Sequence, residues 1–181
     1  AITYSLTNQH KSTAFALNPA YQTRLSLPMS EERSELRQSL LPNLLDSVAY
    51  NLARQADSFA FYETGSVFLA ETEGAKPVEK EHVAGALTGL WHKNLWQGEK
   101  KAVDFYVAKG IAEGLFEKLG VSGEITYVQA EREGLHPGRT ADVHLNGKVI
   151  GFVAALHPLV EKELDLKETY VFEFDLTDVM T

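Results

Sequence analysis

Asn146-Gly147 separates two runs of alternating polar and apolar residues, 139–145 and 148–155. Both members of the pair tolerate positive φ, which a two-residue hairpin loop needs if its twist is to match its strands. That loop sets Leu145 against Lys148, Val143 against Ile150 and Ala141 against Phe152, and in the same register His136 opposite His157. One face of the hairpin is then mostly apolar, and the other carries Thr140, Asp142 and His144. An antiparallel hairpin with one apolar face requires a second layer to cover it.

Two helical segments supply that layer. Ser39 is suited to accept from a first-turn N–H, and Pro42 falls where a missing N–H costs little. Leu40, Leu41, Leu44, Leu45, Val48, Ala49 and Leu52 then recur at helical spacing, predicting a helix over about 39–52. Its apolar stripe is wide enough to serve a core and a partner helix together. A second helix is expected over about 102–119, with Gly120 as its C-terminal stop. Gly110 and Gly114 interrupt it and suggest close packing against a neighbour. Strands are expected at 2–7, 59–69, 82–90, 124–130 and 169–176 besides the hairpin, with Gly65 a place for a bend. Residues 8–35 and 71–80 read as loop. The fold class is α+β, an antiparallel sheet flanked by helices, with 1–181 as a single core domain.

Composition narrows the function classes. The 181 residues are 44% apolar and 23% charged, as in an ordinary globular domain. A net charge of −8 opposes a generic nucleic-acid surface, though it leaves room for a local basic patch. The absence of cysteine removes disulfides and thiolate metal sites. No apolar run reaches membrane-spanning length and no export leader is visible, so a cytoplasmic location is expected. The chain begins without Met, directly in strand-like sequence, and is expected to be a fragment of something longer.

Three places invite a chemical reading. His136 and His157, each followed by proline, bracket the hairpin. Two histidines opposite each other suit a metal, but no third ligand is placed by spacing and proline ends strands, so they are expected to be scaffold. In "WHKNLWQGEKK", 91–101, two tryptophans alternate with Lys93, Lys100 and Lys101. Such a segment can stack bases and neutralise phosphates. The expectation is instead that the tryptophans dock on the core while the lysines stay wet, because the net charge opposes nucleic acid. Glu63 lies in an aromatic strand, where a buried carboxylate serves as acid or base or as a structural acceptor. No phosphate-binding glycine loop and no nucleophile elbow is present.

Five stretches in order resemble one family: "LPMSEERSELRQSLLPNLLDSVAYNLAR" (27–54), "FYETGSVF" (61–68), "WHKNLW…VDFYVAKGIAEGLFEKLG" (91–120), "HPGRTADVHLNGKVIGFVAALHP" (136–158) and "YVFEFDL" (170–176). Together they are similar to the β chains of bacterial phenylalanyl-tRNA synthetases, in the part folded like a class II synthetase catalytic domain but lacking the activity. The resemblance implies no catalytic, cofactor-binding or metal residues in this stretch. An active site of that class carries an arginine two residues before a glutamate, to grip the ATP phosphate. Here that position is Phe61, before Glu63. The glycine-rich, Glu-Arg-bearing segment of an active site corresponds to 170–175, which has neither glycine nor arginine. The resemblance further implies a catalytic α chain as partner in an α2β2 heterotetramer, with ATP, magnesium and tRNA handled by the whole enzyme. Leu44, Val48, Asn51 and Leu52 are then the expected subunit-interface residues. The editing and anticodon-binding parts of such β chains are not expected within these residues.

Overall fold

The computed structural model describes residues 1–94 and 96–180. A short N-terminal strand β1 (Leu6–Thr7), helix α1 (Gln9–Ser12) and strand β2 (Glu35–Leu36) lead into helix α2 (Leu41–Leu52). Strands β3 (Phe59–Leu69) and β4 (Val78–Thr88) follow, then a small pair, β5 (Leu90–Lys93) and β6 (Lys100–Ala102). Helix α3 (Phe105–Leu119) precedes β7 (Ile125–Gln129), β8 (Leu135–Leu145) and β9 (Lys148–Leu156). Helix α4 (Pro158–Glu163), β10 (Thr169–Asp175) and α5 (Leu176–Val179) complete the order. The main sheet runs β3-β4-β10-β9-β8-β7, with every neighbouring pair antiparallel.

Both faces of this sheet are covered, because alternate residues of the central strands feed two separate cores. On one face Tyr170, Phe172 and Phe174 of β10 join Val83 and Leu87 of β4 and the buried side of α3. On the other, Val171 of β10, Ala84 and Ala86 of β4 and Phe152 of β9 meet Leu41, Leu44, Leu45 and Val48 of α2. Full burial of a leucine or valine contributes on the order of 1.5–3 kcal/mol, so α2 is held mainly by these four contacts. Its outward side is left to Asn43, Asp46, Ser47 and Tyr50.

The local signals account for the element ends. Ser39 precedes the helix by two residues, yet its hydroxyl accepts from Leu41 N at 3.1 Å, a first-turn donor as expected. Asp104 caps α3 by accepting from Val107 N, and Gly120 closes it at φ 67°. Gly110 and Gly114 do not mark close packing: a Cβ built at either meets nothing within 4 Å. Gly65 does not bend β3, whose pairing with β4 runs unbroken from Phe59 to Leu69. A Cβ there would lie 2.6 Å from Arg37 Nη2, so this glycine makes room for a guanidinium.

Asn146 and Gly147 form the hairpin loop at φ 51° and 83°, and Leu145 faces Lys148. Beyond it the expected register fails. Val143 faces Gly151 and Ala141 faces Val153, because a bulge inserts Ile150 between the pairs made by His144 and Val143. A second irregularity lies between Leu135 and Thr140, so His136 and His157 do not face each other in register. The 71–80 loop is also shorter than expected, since β4 begins at Val78.

Candidate functional site

On the sheet face under α2 the polar residues are already engaged. Glu63 is 3% exposed. It accepts from Thr3 N at 2.9 Å, from Thr3 Oγ1 at 2.7 Å and from Arg37 Nη1 at 3.4 Å. Arg37 spends its other donors on Ser66 O at 3.0 Å and on Thr3 Oγ1 at 2.9 Å. Both are buried charges that share one another and the chain's own backbone, the arrangement that makes such a pair tolerable. Phe61 packs against Phe59 at 5.1 Å between centroids and joins the core under α2.

A second cluster occupies β10 and β4. Glu173, fully buried, accepts from Ser39 Oγ at 2.5 Å and Leu40 N at 3.1 Å, and shares a hydrogen bond with His82 Nδ1 at 2.8 Å. The buried Nε2 of His82 has no hydrogen-bond partner among the described residues. Asp175 accepts from Lys80 Nζ at 2.8 Å and caps α5 through Asp178 N. That hydrogen bond holds the Lys80 ammonium above its ordinary pKa. The strand therefore ties the start of α2 to the sheet centre.

A groove of about 570 Å³ remains on this face, beside α1 and α4, floored by Phe15, Leu135 and Phe152. Its fixed cations are paired: Lys11 with Asp46 at 2.5 Å, and Arg132 with Asp142 at 2.7 and 3.2 Å. Adenylyl transfer depends on positive charge positioned for the phosphates. These residues do not fit ATP with its magnesium, and no chemical step is derived through either.

The histidines of the hairpin have local tasks. His136 Nδ1 accepts from Gly138 N, and His157 Nδ1 accepts from Leu159 N as the cap of α4, both at 3.1 Å. Each closes the turn that its proline begins. Nearby, Arg139 pairs with Glu168 at 2.7 Å, and Glu168 also accepts from Tyr170 Oη. Burial, with Glu168 adding to it, pushes the Tyr170 phenol up to about 12 and the Glu161 carboxyl up to about 7. No group of three or more His, Asp or Glu side chains able to hold a metal occurs among the described residues.

Two sequence expectations are corrected. Leu44 and Val48 are fully buried against the chain's own sheet and present nothing to a partner. The stripe was wide because α2 covers a broad sheet face alone. Asn51 is half-buried and donates to Ser47 O at 2.8 Å, and Leu52 packs partly on the core. Nor do the tryptophans dock: Trp91 is 46% and Trp96 98% exposed. Sequence reading missed the surface beside the helix. A groove of about 300 Å³ runs between the outward side of α2 (Asn43, Asp46, Ser47) and the N-terminal strand, with exposed Ile2 and Tyr4 on its rim. Tyr50, one turn further along α2, is exposed beneath the Arg54 guanidinium.

Comparison with known proteins agrees with this geometry. The family model described as the phenylalanyl tRNA synthetase beta chain CLM domain matches residues 1–176. The chain is 71% identical over 180 residues to the phenylalanine–tRNA ligase beta subunit of Bacillus licheniformis, and 68% identical over 176 residues to that of Bacillus subtilis. It covers 99% and 97% of its own length in these matches but 22% of each relative, so it spans about a fifth of their length. Among solved structures, Desulfitobacterium hafniense PylSc, a pyrrolysyl tRNA synthetase, shares the fold at TM-score 0.67 and 17% identity, over 99% of this chain and 60% of that one. Matched by that family model and by these relatives along nearly all its length, this chain belongs to the CLM-domain family of phenylalanyl-tRNA synthetase β chains.

Proposed function

We propose that this chain is a catalytically silent core that supports assembly of a phenylalanine–tRNA ligase. In that reading residues 1–181 act as one unit of a longer β subunit. They dock a catalytic α subunit within an α2β2 heterotetramer in the cytoplasm. The whole enzyme, not this chain, uses ATP and magnesium to attach phenylalanine to its tRNA. The observation that carries the reading is the saturated Arg37–Glu63 pair beside Phe61, where an active site would keep a cation free for phosphate. No helix among the described residues is long and apolar enough to cross a membrane.

The docking face in this reading is the groove beside α2, with Ile2, Tyr4 and Tyr50 as its exposed apolar contacts and Asn51 and Leu52 at its end. Exposed tyrosines are favoured anchors at protein interfaces. Co-expression of tagged chain with the phenylalanyl-tRNA synthetase α chain of a related Bacillus is expected to yield a stable complex. Tyr50→Glu is expected to weaken capture about tenfold. Because Tyr50 is exposed, the melting temperature should stay within about 2 °C. A folded chain that captured no α chain, where a full-length β chain did so under the same conditions, would sink the docking reading.

A further inference from the structure

The β5–β6 hairpin is not explained by the silent core. Its two strands pair with each other, apart from the main sheet among the described residues, and every residue of both strands is exposed. An isolated two-stranded hairpin is marginal in water. This one carries a further penalty: Lys93 lies directly opposite Lys100. Like charges in such cross-strand positions destabilise a hairpin. None of the three lysines is held in an ion pair among the described residues, and Glu99 is the acidic residue beside them.

The aromatics are set out with the same disregard for local stability. The register shifts between Leu90 and His92, so Trp91 is the extra residue of a bulge, a device that re-aims a side chain. Asn94 Oδ1 accepts from Trp96 N at 3.1 Å and from Gln97 N at 3.3 Å, fixing the turn that holds Trp96 out in solvent. Leu95 of this stretch lies outside the described residues. A saddle of about 530 Å³ opens between Trp91 and His92 on one strand and Lys100 and Lys101 on the other. Paired lysines repelling each other at short range are relieved by an anion. Exposed indole rings are covered by another flat ring. RNA supplies both, phosphates and unpaired bases, along one nucleotide chain. A protein partner is the poorer match, because lysine is depleted in protein interfaces.

We propose that the β5–β6 hairpin is an RNA contact, with Lys93, Lys100 and Lys101 meeting phosphates and Trp91 and Trp96 stacking on unpaired bases. The proposal rests on the reading of the chain as part of a tRNA ligase, and it locates an RNA-binding surface on an otherwise acidic domain. The test uses the assembled enzyme, full-length β chain with α chain, and an unmodified tRNA transcript that accepts phenylalanine. Binding is measured across a series of salt concentrations. Lys93→Gln with Lys100→Gln is expected to weaken binding about tenfold and to flatten the plot of log affinity against log salt by about 1.5, the loss of two phosphate contacts. Trp96→Ala is expected to weaken binding about fivefold or more with the salt slope unchanged, since stacking releases no counterions. Unchanged affinity and slope in variants that still assemble would overturn the proposal. Loss of α-chain capture by the same variants would also overturn it, by showing the hairpin to be a protein contact. A wild-type chain that captures no α chain fails at the earlier step, and takes the reading and the proposal down together.

Discussion

Glu63→Ala is expected to destabilise the domain by about 3–5 kcal/mol, the cost of leaving a buried partner charge alone. Arg37 is 3% exposed and would keep its charge with no carboxylate within reach. Thr3 N and Oγ1 would lose their acceptors at the same time, releasing the N-terminal strand from the edge of β3. Pairing the change with Arg37→Met should recover much of the loss, because an apolar pair carries no uncompensated charge. Urea unfolding followed by circular dichroism measures both variants. A loss below about 1 kcal/mol for Glu63→Ala would show that water reaches Arg37 and that the face is open.

Glu173→Leu is expected to cost a similar amount, about 3–5 kcal/mol, by a different route. Ser39 Oγ and Leu40 N donate to this carboxyl and His82 Nδ1 is hydrogen-bonded to it, and each would be left without its partner inside the sheet. Leucine has the volume to fill the space, so the loss reports unmade hydrogen bonds rather than a cavity. Glu173→Gln keeps one acceptor oxygen and should lose about half as much. The same unfolding measurement decides it. A stable Glu173→Leu protein would mean that the start of α2 is anchored by its leucines alone.

The sequence was most readable where a residue's task is local. The extent of β3 followed from its aromatic and β-branched run, and both its ends match, Phe59 and Leu69. Gly120 and Asn146-Gly147 announced positive φ, and the structure uses it at all three. Tasks set by distant partners were hidden. Arg37 is 26 residues from Glu63 in the chain, and Thr3 is 60 away, so no spacing pointed to either. The bulge at Ile150 has no composition signature, yet it shifts the pairs from Val143 to Thr140 by one, and a second irregularity between Leu135 and Thr140 takes the two histidines out of register. The width of the α2 stripe was visible, but one wide sheet face and two narrow partners demand the same pattern. Leu44 and Val48 therefore looked like interface residues while lying at the centre of the core. The tryptophans misled for a related reason: β5 and β6 take each other as partners, so the segment never folds back over the sheet.

The reading of this stretch as catalytically silent came from the resemblance, which set Phe61 where an active site has its phosphate-gripping arginine and found neither glycine nor arginine in 170–175. The structure adds that α2 packs over much of this face, and that Lys11 and Arg132 beside the remaining groove are bound to Asp46 and Asp142.

The most direct test of that claim is phenylalanine-dependent exchange of labelled pyrophosphate into ATP, measured with residues 1–181 alone. A face with no free cation for phosphate predicts no exchange above the protein-free blank, at any concentration of the chain. Exchange that rose in proportion to the chain, and required phenylalanine, would contradict the account.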